Sequence, residues 1–118
     1  YHFRYIADAL RGRDPGVGHG GEIIYVFGLH GFSQTPRGAM LASFVTDKDK
    51  GIVALMQDYW TNFAKTGDPN GAGLPQWPVY TADKDDLLIF TPDAGAGAVA
   101  DPWKARLDVT AKAASEQH

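Results

Sequence analysis

Four histidines, His2, His19, His30 and His118, are the side chains here whose ordinary pKa suits proton transfer near neutral pH. His19 is set apart by its surroundings. It sits in Gly16-Val17-Gly18-His19-Gly20-Gly21, and the stretch from Arg11 to Gly21 holds five glycines and Pro15. Glycines give up side-chain contacts and add backbone entropy to be lost. Such a density therefore belongs where the chain takes special geometry or approaches another group closely. The apolar run Ile23–Phe27 follows at once and is able to anchor the loop's end. A loop imidazole held on a rigid scaffold is how a general base is presented. The bland alternative is a solvated loop histidine.

The same stretch matches other patterns less completely. Gly16 to Gly21 spells G-x-G-x-x-G, but a dinucleotide fold needs a long helix after the glycines and an acidic residue closing a second strand, and neither follows. His19 and Glu22 form H-x-x-E, which on a helix puts imidazole and carboxylate on one face, with His30 as a conceivable third metal ligand. The inverse zinc motif requires histidine directly after the glutamate, where Ile23 stands, and without cysteines or a second clustered histidine no metal is expected. The serines Ser33, Ser43 and Ser115 all lie outside G-x-S-x-G, so no convincing nucleophile accompanies the base.

What positions these residues is one domain's worth of chain, 118 residues, with 44% hydrophobic and 21% charged side chains, values of a folding globular protein. Its 14 glycines and 7 prolines favour turns over long regular elements. A net charge of −3 without a basic run argues against nucleic acid as a partner. The longest apolar run, Ile23 to Leu29, is far short of the roughly 20 residues that span a bilayer. No targeting segment is visible, and the absence of cysteine removes disulfides and thiolate metal sites while leaving the compartment open between cytoplasmic and exported.

Along the chain, Tyr1 to Ile6 alternates Tyr1, Phe3 and Tyr5 with His2 and Arg4, the period of a half-buried strand. Glu22 to Leu29 reads equally as a short strand or one to two turns of buried helix. Phe32 to Phe44 reads as a loop. Thr46 to Thr66 is a helix: Ile52, Leu55, Met56, Tyr59, Trp60 and Phe63 recur at three and four, Thr46 with Asp49 resembles a capping box, and Gly67 supplies the stop. Trp60 and Phe63 are expected on its buried face. Gly67 to Val79 is a structured loop pinned by Leu74 and Trp77, Leu87 to Phe90 is a short strand, and Asp101-Pro102 opens a last helix to about Ala114. So few strands leave sheet edges unpaired.

Two stretches, GVGHGGEIIYVFG at Gly16–Gly28 and YWTNFAKTGDPNGAGLPQWPVY at Tyr59–Tyr80, resemble the C-terminal part of type B carboxylesterases. These form the cholinesterase-like branch of the α/β-hydrolases, which includes bacterial para-nitrobenzyl esterases. YHFRY is similar to the family's last sheet strands and DPWKARLD at Asp101–Asp108 to its closing helix, so the likeness covers roughly residues 1–110. The resemblance implies an α/β fold and no cofactor, and puts His19 on the catalytic histidine. Glu22 falls on a glutamate held in a buried hydrogen-bond network behind the active site, and Gly21 on a variable position. The family's chain order is nucleophile, acid, histidine. Residues 1–118 are therefore expected to be the C-terminal segment of a single α/β-hydrolase domain. Its nucleophile and acid would lie before Tyr1, and the segment would be inactive alone. The implied activity is hydrolysis of a small-molecule carboxylic ester, with the missing N-terminal part as partner and self-association of the isolated segment as a further expectation. Two other readings are a non-enzymatic cholinesterase-like binding or adhesion domain, and a free-standing small domain of unrelated function.

Overall fold

Alternation at the start of the chain does produce a strand, β1 (His2–Phe3), although its ladder is shorter than the pattern. The computed structural model describes residues 1–28, 34, 36, 39, 43, 45–81 and 83–116. His30, Ser33, His118 and most of the Phe32–Phe44 loop lie outside the described residues. β1 runs parallel to β2 (Asp86–Phe90), with His2 opposite Ile89 and Phe3 opposite Phe90, and the Arg4 N–H donates to the Phe90 carbonyl at 2.9 Å. Beyond Arg4 the predicted strand ends, because the Tyr5 hydroxyl and the Asp8 N–H both turn to the carboxylate of Asp49. A single 3₁₀ turn, Asp8–Leu10, follows.

β2 also pairs antiparallel with β3 (Ala96–Ala100), from Asp86 opposite Ala100 to Phe90 opposite Ala96, giving a sheet in the order β1-β2-β3. β2 is central, which explains why Leu88, Ile89 and Phe90 are all buried despite their lack of alternation. β3 was not expected from the sequence. Its residues, Ala-Gly-Ala-Val-Ala, carry little intrinsic strand preference, and a turn from Thr91 to Gly95 folds them back onto β2. In that turn the Thr91 N–H donates to the Gly95 carbonyl at 2.9 Å and the Thr91 side chain bonds Asp93.

The ambiguous Glu22–Leu29 segment is helical where described. α1 (Ile23–Val26) is one turn long, buries Tyr25, and gives way to Gly28 at φ +79°. α2 (Asp47–Thr66) has the predicted capping box, with the Asp49 N–H donating to the Thr46 hydroxyl and Asp49 accepting from the Thr46 N–H, and ends at Gly67 with φ +78°. Ile52, Met56 and Tyr59 form its buried stripe and pack with Phe3, Leu88 and Phe90. The stripe is narrower than the periodicity predicts: Trp60 is half-buried and Phe63 is 59% exposed. The short sheet gives the last turns of α2 no surface to cover. Phe90 is the hub of this core, its ring 5.9–6.3 Å from those of Tyr1, Phe3, Tyr59, Trp60 and Trp77.

The loop after α2 is held by paired amides. Asn70 accepts from the Trp77 N–H at 2.7 Å and donates to the Trp77 carbonyl at 3.1 Å, while Asn62 donates to the Pro69 carbonyl at 3.3 Å. α3 (Lys104–Ser115) begins just after Asp101-Pro102, the Asp101 carboxylate accepting from the Trp103 N–H at 2.8 Å, and buries none of its residues. Among the described residues no helix is long and apolar enough to cross a membrane.

Candidate active site

His19 occupies the second position of a tight turn. The Gly21 N–H donates to the Gly18 carbonyl at 3.0 Å, and Gly20, the third residue, takes φ +69° as a type II turn requires. A second turn follows directly, with the Ile23 N–H donating to the Gly20 carbonyl at 3.1 Å and leading into α1. Two of the glycines are demanded by this geometry. Gly20 sits in the left-handed region that disfavours side chains, and a Cβ on Gly21 would lie 2.8 Å from Val17 Cγ1 and 3.0 Å from the Gly18 carbonyl oxygen. The result is an imidazole carried outward, exposed, on a corner with no slack.

The corner is tied down from below. Tyr25, one turn after His19, is buried with its ring 5.1 Å from Phe3 and 5.6 Å from Tyr5. Tyr5 in turn donates its hydroxyl to Asp49 at 2.7 Å. Asp49 is only 2% exposed and also accepts from the Asp8 N–H at 3.2 Å, the Thr46 N–H at 2.7 Å and the Thr46 hydroxyl at 2.9 Å. Burial pushes the Asp49 carboxyl up, but the bonds from Thr46, Tyr5 and Asp8 outweigh it and hold the group below the usual carboxylate range. Burial, then the Asp49 charge, raises Tyr25 to about 12; burial, then the Asp49 hydrogen bond, raises Tyr5 as well. One carboxylate thus joins the end of β1, the 3₁₀ turn and the start of α2 under the His19 loop. The sequence shows the Thr46–Asp49 capping box but not this longer reach, which spans 44 residues to Tyr5. Beneath the loop, Tyr5, Leu10, Val17, Ile24, Tyr25 and Val45 enclose much of a cavity of about 280 Å³.

Glu22 stands immediately before α1 and is half-buried. It lines a second cavity of about 470 Å³ with Tyr1, Val26 and Trp60, and burial followed by its charge raises the Tyr1 hydroxyl. No hydrogen bond joins His19 to Glu22 among the described residues. There, too, no three His, Asp or Glu side chains converge as metal ligands. Ser115 is remote in role, its hydroxyl donating to the Lys112 carbonyl at 2.8 Å on α3. The described residues therefore present an exposed imidazole on a braced turn.

The sequence profile of the carboxylesterase family matches residues 1–105. Carboxylesterase 4A of Bos taurus is 37% identical over 91 residues, covering 75% of this chain and 15% of its own length. Carboxylesterase 5A of Canis lupus familiaris is 38% identical over 95 residues, covering 75% of this chain and 16% of its own. A solved Geobacillus stearothermophilus carboxylesterase superposes with a TM-score of 0.63 at 30% identity, over 87% of this chain and 19% of that one. A solved PNB esterase superposes with a TM-score of 0.69 at 23% identity, over 92% of this chain and 20% of that one, a likeness of fold alone. The small mixed sheet and its helices are accordingly part of an α/β-hydrolase fold, and the chain spans 15–16% of the length of these curated relatives. With a profile match running from residue 1 to residue 105, the chain belongs to the carboxylesterase family.

Proposed function

We propose that this chain is the C-terminal segment of a single α/β-hydrolase domain that hydrolyses carboxylic esters, and that His19 is its catalytic base. In this reading a serine from the remainder of the enzyme attacks the ester carbonyl while His19 takes its proton. His19 then returns that proton to the departing alcohol, and the acyl-serine is opened by water in the same two-stroke manner. An acidic residue upstream orients the imidazole, and backbone N–H groups hold the oxyanion. Glu22 takes its place in the buried network behind the site. The observation that carries the reading is the corner at Gly18–Gly21, where the turn geometry projects His19 in a chain of this family. The exposed aromatic surface at Tyr1, Phe27 and Phe63 and the edge of β1, unpaired among the described residues, suit burial against the remainder of the enzyme.

The test is His19→Ala in the full-length protein. kcat for a short p-nitrophenyl ester falls on the order of 10³-fold or more with the melting temperature unchanged. An equal loss from His2→Ala or His30→Ala at native stability would remove His19 from the role. The isolated 118-residue segment gives no turnover, and co-expression with the upstream part restores it. Serine-phosphonate labelling of Ser33, Ser43 or Ser115 with loss of activity in the isolated segment would overturn the assignment of the nucleophile to the remainder.

A further inference from the structure

The alternation that turns Phe3 and Tyr5 into the core turns His2 and Arg4 to the opposite face of the sheet. A cavity of about 530 Å³ opens there, lined by His2, Arg4, Arg11, Val17, Pro102 and Trp103 among its walls. Its basic groups are incompletely used. Nδ1 of His2 is buried without a hydrogen-bond partner, whereas buried polar atoms are ordinarily paired. The Arg4 guanidinium has no carboxylate partner among the described residues; the residue's bond to the Phe90 carbonyl is made by its backbone N–H. Arg11 pairs with Asp8 at 3.3 Å and lies over the Tyr5 ring at 5.6 Å. Asp8 is itself shared with Lys48 at 3.8 Å, and Asp93 lies in the field of Arg11 and Lys48, so neither acid serves Arg4 or His2. Trp103, one of the lining residues, carries the Arg106 guanidinium 5.9 Å over its ring, outside the cavity lining.

We infer that this cavity is a carboxylate site. The Arg4 guanidinium offers a planar fork matched to two carboxylate oxygens, and the His2 ring lines the same cavity beside it. Val17, Pro102 and Trp103 provide walls for an apolar body, so the ligand is a monoanion with a hydrophobic part rather than a strongly hydrated anion. Two sources present this chemistry. One is a free carboxylic acid of the kind ester hydrolysis releases, an arm that rests on the esterase reading. The other is an aspartate or glutamate side chain from the remainder of the enzyme. Val17 lies two residues before His19, so an occupied site stiffens the approach to the catalytic corner in either case.

The experiment uses the full-length protein, benzoate as probe and benzamide as its neutral isostere, read by melting temperature and by tryptophan fluorescence. With a free acid as ligand, benzoate stabilises and benzamide does not. The benzoate Kd rises at least tenfold in Arg4→Gln, rises less in His2→Gln, and is unchanged in Arg13→Gln and in His19→Ala. The last variant separates this site from the catalytic one: binding survives there even when turnover is lost. With a side chain as ligand, benzoate is silent on the wild type. Arg4→Gln then lowers the melting temperature by several degrees, Arg4→Lys restores part of it, and Arg13→Gln does not change it. Equal stabilisation by benzamide and benzoate, or a silent benzoate together with an Arg4→Gln protein that melts like Arg13→Gln, overturns the proposal.

Discussion

Replacing Asp49 by asparagine removes a charge and almost no volume, so it isolates what the carboxylate does for the scaffold under His19. Two of its four bonds survive, because the amide oxygen still accepts from the Tyr5 hydroxyl at 2.7 Å and the Asp8 N–H at 3.2 Å. Of the other two, the Thr46 hydroxyl can reverse its role and accept from the new NH₂ at 2.9 Å, so only one is lost outright. The new NH₂ faces the Thr46 N–H, which now bonds Oδ2 at 2.7 Å, and a donor meets a donor. The Thr46 hydroxyl has a fallback acceptor in Asp8 Oδ2 at 3.4 Å, but the Thr46 N–H has none. A part-buried N–H left unpaired costs about 1–3 kcal/mol, and the weakened capping box adds about 1, so the expected loss is about 2–4 kcal/mol. Urea unfolding at pH 7, followed by circular dichroism, measures it. The pH dependence sharpens the test. The folded Asp49 carboxyl is held below its ordinary value, so its contribution is complete above the unfolded pKa near 3.9 and disappears as pH falls through the folded value. The gap between wild type and Asp49→Asn therefore stays constant from about pH 5 upward and closes below about pH 4. A gap under about 1 kcal/mol at pH 7, or one as wide at pH 3 as at pH 7, refutes the reasoning.

At the alkaline end, Tyr25 is neutral up to about 12 in the fold while unfolded tyrosine ionises near 10. Stability is thus full below about pH 10 and falls as pH rises from there through 12; Tyr25→Phe flattens the fall, and absorbance titration at 295 nm follows the ionisation. Gly20→Ala places a side chain at φ +69° and a Cβ 3.2 Å from Ile23 Cδ1, which costs about 1–2 kcal/mol and lowers kcat on the order of tenfold or more as the corner shifts. Tyr59→Ala, at a fully buried position, costs about 3–5 kcal/mol, whereas Phe63→Ala in the isolated segment costs under about 1 kcal/mol because that ring already meets solvent.

Features written in short spacings were legible in the sequence. The helix Asp47–Thr66 announces itself through Thr46, Asp49 and Gly67, whose capping roles need neighbours only three or four residues away. The His19 corner is legible for the same reason, since Gly18, Gly20 and Gly21 define it locally. What escaped depends on partners far along the chain. Ala96–Ala100 becomes a strand because β2 supplies its hydrogen bonds, not because alanine prefers one. Tyr5 leaves the ladder because Asp49 captures its hydroxyl, and Phe63 stays exposed because the small sheet does not extend beneath it. Both outcomes are decided by tertiary geometry that periodicity cannot carry. The basic cavity belongs to the same class: alternation puts His2 and Arg4 on one face, but Arg11 and Trp103 arrive from separate segments.

The pairing of His2 with Ile89 imposes an order on synthesis. A ribosome that has made β1 must add some 85 residues before β2 exists, about 4–17 s at ordinary elongation rates. Throughout that interval the β1 edge that β2 will occupy is bare, and α2, whose caps are local, is free to form first. β2 and β3 then act as a latch: until Asp86–Ala100 clears the ribosome, the sheet that anchors the His19 corner through Phe3 and Tyr25 lacks its central strand. A stall after Thr66 would leave a nascent chain whose helix is complete and whose first strand still offers an open edge to any passing strand.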